Sequence, residues 1–229
     1  MYIHAAYRKV GARFRANRMR AFEVTFRPNA STRVLDVGGT PQAWDSTVVR
    51  PDLTLVNLPG KSFRQRHFPG MRPVAADACA LPFRNKAFAI GYSNSTIEHV
   101  GTRERQRAFA RELRRVSDTY WVQTPNRWFP IEPHYLTPFV HWVPKPVRVR
   151  LLRRCTVWGW MTKPNSEQCR ESVAGIRLLT AGEMAWLFPE ARIVRERVLG
   201  LPKSLIAVYD GTPSRPPQGA PYDCPHAFP

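Results

Sequence analysis

Five short apolar runs lie between Ser31 and Asn126, each closing on a glycine or a polar cluster, and helical or irregular stretches separate them. The runs are Arg33–Val37, Leu53–Pro59, Pro73–Asp77, Phe88–Ser93 and Thr119–Thr124. Apolar runs of this length bounded by turn signals are what strands buried on both faces look like. Strands alternating with helices imply crossover connections, so the expected class is α/β: a doubly wound sheet of about seven strands, mostly parallel, with helices on both faces. Ligands of such sheets sit beyond the carboxyl ends of the strands. That rule draws together Asp36 to Thr40, Asn57, Asp77 and Ala78, Ser93 and Asn94, and Thr124 to Asn126.

The first of these endings, R-V-L-D-V-G-G-T over Arg33 to Thr40, is the most specific. Gly38 and Gly39 have no Cβ, so the backbone there can take φ > 0 and a ligand can approach the main chain, while Asp36 offers a fixed acceptor. Ser95 is a candidate cap for a helix running through Glu98 to Arg115.

The remaining chain divides by pattern. Residues 1–30 read as a basic amphipathic helix over 3–22, with Ile3, Tyr7, Val10, Phe14 and Phe22 at helical spacing, ended by Pro28 and Asn29. Its expected place is packed on its own domain. Residues 31–210 form the main domain, interrupted at about 130–179 by a segment rich in Trp, Pro and Arg that we expect to lie over the strand ends as a lid packed by its own tryptophans. A helix at Ala181–Leu187, a strand near Arg192–Leu199 and a last strand Ser204–Tyr209 resume the alternation. The short Gly200-Leu201-Pro202 link makes that last pair a hairpin, so the final strand is expected to be antiparallel. The tail, 211–229, is rich in proline and expected to be disordered.

Composition sets further bounds. The four cysteines, Cys79, Cys155, Cys169 and Cys224, form no C-x-x-C pair, so neither a zinc knuckle nor a redox dithiol is indicated. No run approaches the length of a membrane span, and Met1 to Val10 lacks the pattern of a signal peptide, so the expectation is a cytoplasmic chain. The 35 Lys and Arg against 17 Asp and Glu give a formal charge of +18. Such a charge attracts anionic partners of any kind, RNA or an inner membrane surface included, and says nothing about fold.

In this order, V-L-D-V-G-G-T at 34–40, V-N-L at 56–58, A-D-A-C-A-L-P-F at 76–83, F-A-I-G-Y-S-N-S-T-I-E-H-V at 88–100 and V-Q-T-P-N at 122–126 resemble the class I S-adenosylmethionine-dependent methyltransferases, specifically the small bacterial type 11 group. The resemblance runs from about Ser31 to Tyr209 and implies a Rossmann-like fold with S-adenosylmethionine as cofactor. It implies that Asp36, Gly38 and Gly39, with Thr40 beside them, hold the methionine part. The ribose falls to Asn57, the adenine amino group to Asp77 with the Ala78 backbone, and the approach of the nucleophile to Ser93 and Asn94. Two positions depart from the pattern. Thr40 and Gln42 stand where D-x-G-x-G-x-G has its later glycines, and Asn57 replaces the usual ribose acid.

The function implied is methyl transfer to oxygen or nitrogen of a small, glycan-linked or lipid-linked acceptor. The alternatives are an RNA methyltransferase and a cofactor-binding protein without turnover. Transfer to a hydroxyl needs a base, and Glu98, His99 and His134 are the candidates, set against a purely structural role for His99. Metal-dependent relatives carry E-x-x-E-H; here Ser95 occupies the first place, and no metal is expected. The aromatics of 130–179 can stack on sugars, quinones or bases, and Arg148, Arg150, Arg153 and Arg154 can face an anionic surface. One sequence fixes neither the acceptor nor the oligomeric state.

Overall fold

The computed structural model describes residues 2–60, 70–132 and 134–212, with the backbone alone for 2–13. The loop basic residues Lys61, Arg64, Arg66 and His67, the tail from residue 213 with Cys224, and the side chains of Ile3, Tyr7 and Val10 lie outside the described residues.

In chain order the elements are α1 (Tyr2–Phe26), β1 (Arg33–Val37), a 3-10 turn (Pro41–Trp44), β2 (Asp52–Asn57), β3 (Arg72–Ala75), β4 (Phe88–Asn94), a 3-10 turn (Ile97–His99), α2 (Arg103–Val116) and β5 (Ser117–Pro125). There follow β6 (Ile131–Glu132), β7 (Thr137–Pro138), a 3-10 turn (Val140–Trp142), α3 (Lys145–Arg154), α4 (Val157–Thr162), α5 (Ser166–Gly175), α6 (Ala181–Leu187), β8 (Arg192–Val198) and β9 (Leu201–Tyr209). The main sheet has seven strands in the order β3-β2-β1-β4-β5-β9-β8, parallel except where β9 runs antiparallel to both neighbours. Leu199 at φ 49° and Gly200 at φ 80° make the β8–β9 link a tight two-residue turn, which fixes the reversal.

Period-2 alternation distributes the apolar side chains between two cores. Tyr120 and Val122 of β5, with Leu205 and Ala207 of β9, face Phe109, Leu113 and Val116 of α2 and Leu187 of α6. Trp121, Ile206 and Val208 point the other way, toward Met19 and Phe22 of α1 and toward Trp44. Phe22 is fully buried and meets Trp44 and Tyr92 edge-on, so α1 is the cover of the second face rather than an appendage.

The last strand begins at Leu201 rather than Ser204, so its link to β8 is Leu199-Gly200, and three boundaries near the site also differ from the sequence reading. The third strand stops at Ala75, two residues short of Asp77, because the chain leaves the sheet once Ala76 has donated to the Asn57 carbonyl. Ser95 caps nothing: it takes φ 55° and gives its hydroxyl to Gln123, while Thr102 caps a helix that begins only at Arg103. Glu98 and His99 therefore sit on a separate 3-10 turn.

The insertion leaves and rejoins the sheet at one point, where the Arg127 N–H donates to the Leu179 carbonyl and Asn126 bridges Leu179. Its own small core is Tyr135, Val140, Leu152, Cys169 and Val173, with Trp158 packed alongside. Trp128, Trp142 and Trp160 are exposed, so of these tryptophans Trp158 alone joins the aliphatic and tyrosine packing that holds this segment together.

Candidate active site

A cleft of about 370 Å³ opens where β1, β2 and β3 end and is lined by Gly38, Asn57, Asp77, Ala78, Thr96 and His99, among others. Gly38 has φ 80°, and a Cβ there would lie 2.2 Å from Thr96 Oγ1, so only glycine fits. The Thr96 and Ser93 hydroxyls both donate to the Val37 carbonyl, at 3.1 and 3.0 Å, and lock the turn from behind. Below it lies the buried Asp36 carboxylate. Its Oδ2 accepts from Trp44 Nε1 at 2.8 Å, and its Oδ1 is buried with no partner among the described residues. Burial pushes the Asp36 carboxyl up to about 7 against the opposing effect of the Trp44 bond.

Asn57 explains its own departure from the pattern. Its Nδ2 donates to the Gly39 carbonyl at 3.0 Å, tying the end of β2 to the glycine turn. A carboxylate has no donor for that bond. Asp77 is held by the Cys79 N–H at 2.9 Å and by Arg105 on both oxygens, which keep its carboxyl below the usual carboxylate range. Three of its roughly four lone-pair positions are thereby taken, leaving one on Oδ2.

The structure thus brings Gly38, Asn57, Asp77, Ala78 and His99 to one cleft. Asp36, Gly39, Thr40, Ser93 and Asn94 lie behind or beside it. Ser93 is fully buried, and Asn94 accepts from Arg18 at 2.5 Å, an arginine that α1 contributes and that also pairs with Glu196 at 3.1 Å.

The titratable cluster is arranged differently from its sequence order. Neighbouring residues of a tight helical turn point apart. Glu98 is fully buried, its Oε2 accepts from the Thr124 hydroxyl at 3.0 Å, and burial pushes its carboxyl up to about 7. His99 points outward into the cleft. His134, from the insertion, meets it with the two Nε2 atoms 3.1 Å apart and with its own Nδ1 2.5 Å from Glu132 Oε1. Glu132, not Glu98, is the carboxylate partner. Its other oxygen accepts from the Tyr135 N–H at 2.7 Å.

Partial burial pushes His99 down to about 4, with the charge of His134 acting in the same direction and Glu132 opposing. For His134, burial is the largest cause and lowers its pKa, but the Glu132 hydrogen bond, the Glu132 charge and the Glu98 charge together outweigh it and raise it above the ordinary imidazole value. His134 is therefore the more basic of the pair, and a proton taken up by it ends on His134, whose Nδ1–H then faces Glu132 and whose Nε2–H faces His99. Ligand atoms of Glu98, His99 and His134 lie within 4.8 Å of one another, but a cation there would have to separate the two hydrogen-bonded imidazoles.

A second cavity, of about 380 Å³, lies on the far side of this cluster, between the insertion and the start of α2, and Glu132 lines it. Glu132 is the functional residue that sequence reasoning missed. Its signal was present: it stands two residues ahead of His134 in I-E-P-H.

Residues 32–118 match a family model described as a methyltransferase domain. No curated protein matches the chain. Among solved structures, a Rhodobacter sphaeroides protein described as a Zn-dependent alcohol dehydrogenase superposes with TM-score 0.52 at 10% identity, over 81% of this chain and 85% of that one, and shares its fold. The N-terminal domain of EvdMO1, solved in the presence of SAH and D-fucose, gives TM-score 0.49 at 16% identity over 85% and 80% of the two chains. A SAM-dependent methyltransferase from Methanosarcina mazei gives 0.45 at 13% over 79% and 92%.

Proposed function

We propose that this chain, whose residues 32–118 match a methyltransferase domain, is a class I S-adenosylmethionine-dependent methyltransferase of the type 11 group, that its acceptor is an oxygen or nitrogen of a small, glycan-linked or lipid-linked molecule, and that the His99–His134 pair takes the acceptor's proton. The observation that carries this reading is the Glu132–His134–His99 array, which joins a cofactor-sized cleft to a second cavity.

The residues present suit the cofactor. Gly38 cradles its approach at a turn where a Cβ would collide with Thr96, and Asp36 Oδ1 is a buried acceptor beneath that turn with no partner among the described residues. Asn57 and Asp77 keep free acceptor positions at the neighbouring strand ends. When bound, S-adenosylmethionine supplies a methyl group on a sulfonium that departs as a neutral thioether.

What the chain must add is position and a proton acceptor. As the acceptor oxygen or nitrogen forms its bond to the methyl carbon, its proton passes into the imidazole pair and ends on His134. Glu132 fixes the tautomer that leaves Nε2 free to receive it and stabilises the resulting imidazolium. The insertion supplies His134 to the strand-end cleft, where it meets His99. Exposed Trp128, Phe139 and Trp142, in ring contact at its rim, support an acceptor with a sugar face.

Calorimetric titration with S-adenosylmethionine and S-adenosylhomocysteine, followed by transfer of labelled methyl to a panel of hydroxylated and amino acceptors, tests the reading. His134→Gln should lower turnover by about 10²–10⁴-fold while leaving cofactor affinity intact. Turnover on RNA alone would replace the acceptor class. Cofactor binding without transfer to any acceptor would leave a binding protein.

A further inference from the structure

The second cavity is strongly cationic. Arg103, Arg127, Lys145, Arg148 and Arg177 line it, against a single carboxylate, Glu132. That carboxylate is already committed, to the His134 imidazole and to the Tyr135 N–H. Arg177 is paired with Glu183, and Arg148 gives Nη2 to the carbonyls of His141 and Val143 at 2.5 and 3.0 Å, leaving its buried Nε without a partner among the described residues. Arg127, stacked on Trp128, Lys145, and Arg103, stacked on Trp186, form no ion pair among the described residues. Desolvated or crowded cations without counter-charge are costly, and an acid group supplies what they lack.

The backbone acts in the same direction. Two helices of sufficient length start on the cavity wall, α2 at Arg103 behind its Thr102 cap and α3 at Lys145, whose Pro144 cap makes no side-chain bond. Their N-termini place partial positive charge toward the same space. His141 donates Nε2–H to the Arg127 carbonyl at 2.8 Å, which leaves its buried Nδ1 as an acceptor for a hydroxyl.

We infer that this cavity seats an anionic oxo group, a carboxylate or a phosphate, of a hydroxyl-bearing acceptor and so orients the hydroxyl or amine to be methylated toward His134 and His99. The inference rests on the methyltransferase reading and deepens it by giving the acceptor a charge and its acid group a place. The volume, about 380 Å³, suits one small acid group with its neighbouring carbons rather than a polymer backbone.

The test titrates inorganic phosphate and, separately, acetate into the full-length protein at fixed ionic strength in chloride, by calorimetry. Wild type should show one saturable site, and Lys145→Ala and Arg127→Ala, both at exposed positions that leave the core untouched, should each weaken it by about tenfold or more. Arg150→Ala and Arg154→Ala, on the outer side of α3, should leave it unchanged. Preference for phosphate or for acetate identifies which acid the acceptor carries. Absence of saturable binding of both anions, or equal loss in the inner and outer variants, overturns the proposal. A parallel S-adenosylmethionine titration separates the two readings. Cofactor binding with no anion site refutes only the acid acceptor, whereas an anion site in a protein that binds no cofactor refutes the methyl transfer on which it rests.

Discussion

Glu98→Gln should flatten the pH dependence of stability between pH 5 and pH 8. Glu98 is fully buried, with Oε2 on the Thr124 hydroxyl and Oε1 without a partner among the described residues. Burial therefore raises its ionisation from 4.5 to about 7. A folded state that holds a proton more tightly than the unfolded chain loses stability as pH rises from the unfolded value through the folded one. At about 1.36 kcal/mol per pH unit the whole loss is about 3 kcal/mol, of which about 2.5 kcal/mol falls between pH 5 and pH 8. Glutamine keeps an acceptor for Thr124 and cannot ionise. Its amide leaves a buried donor much as the protonated acid does, so any fixed cost of the substitution is the same at both pH values. Asp36 also titrates in this range, but it does so in wild type and variant alike, and the difference between the two removes its contribution. Urea unfolding followed by tryptophan fluorescence at pH 5, 6, 7 and 8 gives the two curves. Wild type should fall relative to the variant by about 2.5 kcal/mol from the first pH to the last. Parallel curves would show that Glu98 ionises normally and that its burial carries no electrostatic cost.

Glu132→Gln removes the carboxylate that raises His134; since the base must be unprotonated, activity rises with pH through the His134 ionisation, and this rising limb should move to lower pH in the variant, with a reduced plateau, in a kcat/KM profile. Gly38→Ala forces a Cβ to 2.2 Å from Thr96 Oγ1 at φ 80°; S-adenosylmethionine affinity should fall by at least about tenfold and stability by about 1–3 kcal/mol, read by calorimetry and thermal unfolding. Phe22→Ala empties the centre of the aromatic cluster under α1 and should cost about 3–5 kcal/mol in chemical denaturation without changing which acceptors are used.

The strand-and-turn alternation, the class of the fold, the antiparallel end and the glycine turn at 36–40 were determined by the sequence alone, because period, turn chemistry and the lack of a Cβ act locally. Asn57 shows where that stops. Its identity reads as a lost ribose acid, and only the fold reveals that its amide is needed by the Gly39 carbonyl across 18 positions. Glu98 and His99 are adjacent in the chain and face opposite environments, while His134 and Glu132, more than 30 residues away, complete the array. The cationic cavity likewise gathers Arg103, Arg127, Lys145 with Arg148, and Arg177 from four places along the chain. A sequence records which groups are available, but hydrogen-bond partners and desolvation are set by which segments pack together, and those long-range contacts decided the chemistry of this site.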